Sequence, residues 1–196
     1  MVVGVIALLT GTACNGVSQP HHGVADPGGL LASIDLAKSD TLLPLGDAIG
    51  DPGLLAAAQD ALAGPADGDL KWAATWVVVN GFGDADLLVP LAADADLTIR
   101  VMAATGLLAQ GRVEGFEPLI NALTNEELLT GRYPPEPAWS AATLALVRWT
   151  AVSDNGPPFD GNADQLAAAQ VRWRAWFVDH QQSLRFDANE GIWLTA

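Results

Sequence analysis

The chain has 196 residues, half of them apolar, and 23 acidic against 9 basic side chains give it a formal net charge of −14. That length suits one domain of ordinary size with a substantial core. The charge argues against a nucleic-acid binder that works through phosphate contacts and against flat adsorption on anionic lipid, and it leaves cationic partners and metal ions open. Alanine and leucine are abundant while tyrosine occurs once, a balance that favours helices over sheets. One cysteine, Cys14, excludes an intramolecular disulfide.

Residues 1–14 read as an address. Met1 to Ala13 carry no charge. The apolar run Val2-Val3-Gly4-Val5-Ile6-Ala7-Leu8-Leu9 is far shorter than the roughly 20 residues of a spanning helix and suits the apolar region of a secretory signal. Thr10-Gly11-Thr12-Ala13 then leads into Cys14. The stretch resembles the lipobox of bacterial lipoproteins, with Gly11 where that family prefers a large aliphatic. The resemblance implies lipid attachment at Cys14, export, and a membrane-anchored protein facing the periplasm or cell surface. Residues 15–29 have no periodicity and many small polar side chains, the composition of a flexible tether. His21 and His22 lie in it without a third ligand nearby, so no metal site is expected there.

From residue 30 to 150 the chain is expected to fold as stacked helical repeats. Leu30 to Ile49 reads as a degenerate first helix pair, as a terminal repeat often is. Asp51 suits an N-cap and Pro52 the first position of a helix running to Leu62. Next comes Leu70-Lys71-Trp72-Ala73-Ala74-Thr75-Trp76-Val77, ending at Gly81, and about 30 residues later Arg100-Val101-Met102-Ala103-Ala104-Thr105-Gly106-Leu107, ending at Gly111. Trp139-Ser140-Ala141-Ala142-Thr143 gives a third Ala-Ala-Thr. Paired alanines let helices approach closely, and the closing glycines suit the left-handed residue past a helix end. Trp72 and Trp76 are read as core. A second helix is expected in each unit, at Asp84 to Leu91 and at Val113 to Leu123, each with acids at its start and an early proline. In the latter, Phe116, Leu119, Ile120 and Leu123 form one stripe.

The run Leu91-Ala92-Ala93-Asp94-Ala95-Asp96-Leu97-Thr98-Ile99-Arg100-Val101-Met102-Ala103-Ala104 resembles the loop-and-helix core of bacterial HEAT-like repeats, the class also named after phycobilisome lyases. The resemblance covers about Asp51 to Thr150. It implies an all-α fold, a short right-handed α-α superhelix, in which Asp94 or Asp96 with Arg100 helps to join successive units. Two of the three copies lack the arginine.

Asn125 to Pro137 breaks the period with Tyr133-Pro134-Pro135-Glu136-Pro137, a loop insertion that makes Arg132 and Tyr133 candidate partner contacts. Residues 151–196 are expected to cap the array. Val152 to Asn162 reads as a Gly/Pro-rich loop whose Asp154 and Asp160, with Asp164 just beyond, do not have calcium-loop spacing. A Trp-rich helix follows, from about Ala163 to Leu184, with Trp173, Trp176, Phe177 and His180 on one stripe. An extended strip then covers Leu184 to Asp187 and Gly191 to Trp193.

No nucleophile elbow and no zinc-protease signature occurs, and Gly81-Phe82-Gly83 follows a helix and not a strand. The expectation is a non-catalytic scaffold of the cell envelope. It would need no cofactor and no metal, bind a protein partner and no nucleic acid, and touch the membrane only through its N-terminal lipid. Two alternatives stay open: an enzyme or subunit of the bilin-lyase class, and an acidic structural or cation-binding lipoprotein.

Overall fold

Residues 23–131, 135–157 and 161–195 are described by the computed structural model; Cys14, His21, His22, Arg132, Tyr133 and Asp160 lie outside them. Among the described residues the chain forms nine α-helices and one two-stranded antiparallel hairpin, so it is predominantly helical. No helix among them is long and apolar enough to cross a membrane. The contacts fall into two compact units, the first holding residues up to Gly83 with Thr130–Pro135, the second holding Asp84–Leu129 with Glu136–Ala196.

In the first unit, α1 (Pro27–Ala32) starts inside the stretch expected to be tether, because Asp26 accepts from the Gly29 N–H and Pro27 presets the first turn. A 3₁₀ turn (Ser39–Thr41) leads into α2 (Leu42–Asp47). At α3 (Pro52–Ala63) the expected cap is in place: Asp51 Oδ1 accepts from Leu54 N–H at 2.8 Å, and its Oδ2 accepts from Val24 N–H at 3.1 Å. The long α4 (Gly68–Asn80) packs on α1 and α3 and buries Ala73, Ala74 and Thr75 completely. Trp72 is buried against Gly131 and stacks on the half-buried Trp76, with ring centroids 6.4 Å apart.

The second unit begins with a 3₁₀ turn (Ala85–Leu87) and α5 (Leu88–Leu91), then α6 (Leu97–Ala109), a second 3₁₀ turn (Val113–Gly115) and α7 (Phe116–Ala122). Beyond the insertion come α8 (Ala138–Thr150), α9 (Ala163–His180), β1 (Arg185–Asp187) and β2 (Ile192–Leu194). Eleven of the thirteen residues of α6 are buried, because α5, α7 and α8 all pack against it. The C-terminal segment belongs with this unit and is not a separate cap. The stripe on α9 explains why: Phe177 stacks on Phe116 of α7 at 4.9 Å, and Trp193 of β2 meets Phe116 edge-on at 5.4 Å and donates its indole N–H to the Leu108 carbonyl at 3.1 Å. The helix stops at His180, short of the expected Leu184. The Ser183 hydroxyl and the Leu184 N–H both fold back on the His180 carbonyl, and the chain then turns into β1.

Two local repeats run through these elements. In α4, α6 and α8 the threonine of each Ala-Ala-Thr donates to the carbonyl four residues earlier, Thr75 to Lys71, Thr105 to Val101 and Thr143 to Trp139, at 2.7–2.8 Å. A second repeat was not anticipated. Each 3₁₀ turn leads into a short helix whose third residue is proline and whose fourth is a buried leucine: Pro44-Leu45, Pro90-Leu91 and Pro118-Leu119. Proline costs least in a first turn, where its N–H would have no helical acceptor.

The ends of α4 and α6 share one device with a residue exchanged. In α6 the N–H of Arg112 reaches the Leu107 carbonyl at 2.8 Å around Gly111, whose φ is +72°. In α4 the N–H of Gly83 reaches the Val78 carbonyl at 2.9 Å, and the left-handed residue is Phe82, with φ +51°, and not the expected Gly81. The glycines on either side serve packing instead. A Cβ on Gly83 would lie 2.9 Å from Leu55 Cδ1, and one on Gly81 would lie 3.3 Å from the same atom. A left-handed residue with a Cβ costs about 1–2 kcal/mol, and Phe82 is 58% exposed, so little burial offsets it. Phe82→Gly is therefore expected to raise the melting temperature by about 1–3 °C after the extra chain entropy of glycine is deducted. Thermal unfolding followed by circular dichroism would check this.

Candidate functional site

The loop between α5 and α6 is built by its own carboxylates. Asp94 Oδ1 accepts from Asp96 N–H at 2.9 Å, and Asp96 Oδ1 caps α6 by accepting from Thr98 and Ile99 N–H at 2.7 and 3.2 Å. Arg100, one turn into α6, folds its guanidinium back to donate to the main-chain carbonyls of Asp94 and Ala95. The bonds seen for Asp96 and Arg100 are thus local to this loop, where a joint between repeat units was expected.

This loop and α7 enclose a groove of about 310 Å³. Its apolar lining is Ala92, Ala93, Leu97, Pro118 and Ala122; its polar lining is Arg100, Glu117, Asn121 and Asn125. The α7 side arises because Phe116, Leu119, Ile120 and Leu123 are fully buried. At helical spacing that places Glu117 and Asn121 on the opposite face, where both are exposed. Asn121 Oδ1 accepts from Arg174 of α9 at 2.6 Å. Asn125 Oδ1 accepts from Glu127 N–H at 2.8 Å, and its carbonyl accepts from Trp139 N–H at 3.0 Å. Of the residues singled out in the sequence, Arg100 alone lines this groove. Glu117, Asn121 and Asn125 were passed over, although the gaps in the apolar stripe of α7 mark two of them.

A second hollow of about 350 Å³ lies between the turn after α6 and the C-terminal hairpin, lined by Arg112, Val113, Glu114, Gln181 and Trp193 among others. Its charges satisfy one another. Arg112 donates to Asp86 at 2.6 Å and to Glu114 at 2.9 Å. The hydrogen bond from Arg112 holds the Glu114 carboxyl below its ordinary range, and both acids hold the Arg112 guanidinium more firmly protonated. These side chains are substantially exposed, so the pair pins the surface only weakly.

Asp154, weighed as a calcium ligand, accepts from the Ser153 hydroxyl at 3.1 Å, and Asp164 lies in the first turn of α9. His180 stacks on Trp176 at 5.1 Å, with Nδ1 2.7 Å from the Trp176 carbonyl. The acidic groups read as turn and cap residues largely act as such: Asp26, Asp51, Asp84, Asp96 and Asp187 each accept from main-chain N–H groups two or three residues on. No family model, curated protein or solved structure matches the chain.

Proposed function

We propose that this chain is a non-catalytic binding protein of the HEAT-like helical-repeat kind, held at the cell envelope by a lipid on Cys14, and that it presents the groove between the α5–α6 loop and α7 to a protein or peptide partner. The observation that carries the reading is the groove itself: a floor of alanine, leucine and proline edged by polar side chains, on helices whose opposite faces are locked in the core. That is the make-up of a recognition surface, with an apolar base for contact area and a few polar groups for orientation. The recurring Ala-Ala-Thr helices and the recurring turn-plus-proline helices support a repeat origin, since units that recur in sequence stack and share one core.

The test is capture from detergent-solubilised membranes of the native cells with the full chain as bait, beside an Ala93→Trp variant. Ala93 is exposed and lines the groove, so tryptophan there should fill it at a cost within about 0.5 kcal/mol of stability. The expected result is a partner enriched by the wild-type chain and depleted at least tenfold by the variant. Equal recovery by both would refute the groove, and no enrichment by either would count against the binding role. Mass spectrometry of the mature N-terminus would test the lipid.

A further inference from the structure

We infer that the groove takes an extended acidic peptide, recognised through a row of hydrogen-bond donors. This deepens the binding role proposed above and rests on it. The argument is an account of which polar atoms are already spent. Arg174 has only donors, so the Asn121 atom facing it at 2.6 Å is the oxygen, which leaves the Asn121 NH₂ for a ligand. Glu127 N–H likewise fixes the oxygen of Asn125, which leaves that NH₂ over. Arg100 spends one guanidinium nitrogen on two carbonyls, and no carboxylate among the described residues pairs with it. The lining therefore offers the Nδ2 groups of two asparagines, four residues apart on one side, and the free nitrogens of an arginine on the other. The carbonyl oxygens of an extended peptide can accept from the asparagines. A carboxylate matches the planar, charged fork of the arginine.

The net charge of −14 does not rule this out. Charges beyond about 8 Å are largely screened at physiological ionic strength, whereas contact pairs are screened less. The acid that matters is Glu117, which lines the same groove and would face the ligand with like charge.

The experiment selects peptides from a phage-displayed random library on the full chain and titrates the best one by fluorescence anisotropy. The expected outcome is a set enriched in Asp and Glu. Asn125→Asp keeps the oxygen that Glu127 needs and removes the donor, so it should weaken binding at least tenfold with an unchanged melting temperature. Arg100→Gln should weaken it similarly, and Glu117→Gln should strengthen it several-fold. A basic or neutral consensus would overturn the inference, as would affinities that Asn125→Asp and Glu117→Gln leave unmoved, while a partner captured through the Ala93-sensitive groove would keep the binding role standing. Failure to select any peptide would also overturn it, and together with failed capture would remove both readings.

Discussion

Phe116→Ala is expected to destabilise the second unit by about 3–5 kcal/mol and to lower its melting temperature by roughly 10 °C or more. Phe116 is fully buried and lies within 4.9–6.0 Å of three other rings, those of Phe177, Trp193 and Trp176. Those rings come from α9 and β2, and collapse onto the hole would have to move both elements. Trp193 resists such movement because its indole N–H is bonded to the Leu108 carbonyl at 3.1 Å. The site should therefore sit at the costly end of its range, where little relaxation refills the cavity. The tryptophans beside the hole give a second signal, a red shift of their emission at temperatures below unfolding. A melt by circular dichroism would show whether repeats and C-terminal segment unfold together. One transition, shifted as a whole, is expected because Phe116 joins α7 to α9 and the hairpin. An unmoved main transition, with only the tryptophan signal loosened, would mean that the C-terminal segment is an independent cap after all.

The long helices were legible because their signals are local. Asp51-Pro52 caps α3 as expected, and the three Ala-Ala-Thr segments all fall in helices of thirteen residues. What escaped depended on contacts made elsewhere in the chain. The proline helices recur at Pro44, Pro90 and Pro118, spacings of 46 and 28 residues, and their first residue varies between leucine and phenylalanine, so no fixed period exposes them. Gly81 had every local mark of a left-handed terminator, yet Leu55 on α3 needs the space beside it, and the strain falls on Phe82. Asp96 and Arg100 have the spacing of a helical ion pair, but the main-chain N–H groups of Thr98 and Ile99 reach the carboxylate first. The two asparagines read in sequence as ordinary polar residues. Asn121 becomes a pure donor only because Arg174, 53 residues later, takes its oxygen.

Ala104→Leu is the sharpest test of the close approach that the alanine pair permits, with an expected cost of about 3 kcal/mol or more. Ala104 is fully buried, and its carbonyl oxygen lies so near Gly115 that a Cβ on that glycine would strike it, as well as coming within 3.0 Å of Leu108 Cγ. Overpacking commonly costs 1–3 kcal/mol when neighbouring side chains can rotate aside. Much of what surrounds this position cannot rotate, being the backbone of the turn before α7 and a helix with eleven of thirteen residues buried. Ala104→Gly leaves all of that in place and should cost only the helix propensity, about 1 kcal/mol. The ordering separates the two readings of the alanine. Had Ala104 been an ordinary small core residue with slack around it, the larger side chain would be absorbed and the glycine would be the worse substitution. At a true contact of backbones the leucine must be the worse, and Gly115→Ala should reproduce its effect from the other side. The exposed Ala168→Leu on α9 serves as the control, expected within 0.5 kcal/mol of wild type. If urea midpoints rank Ala104→Gly below Ala104→Leu, α6 and the turn before α7 do not meet as closely as the structure places them.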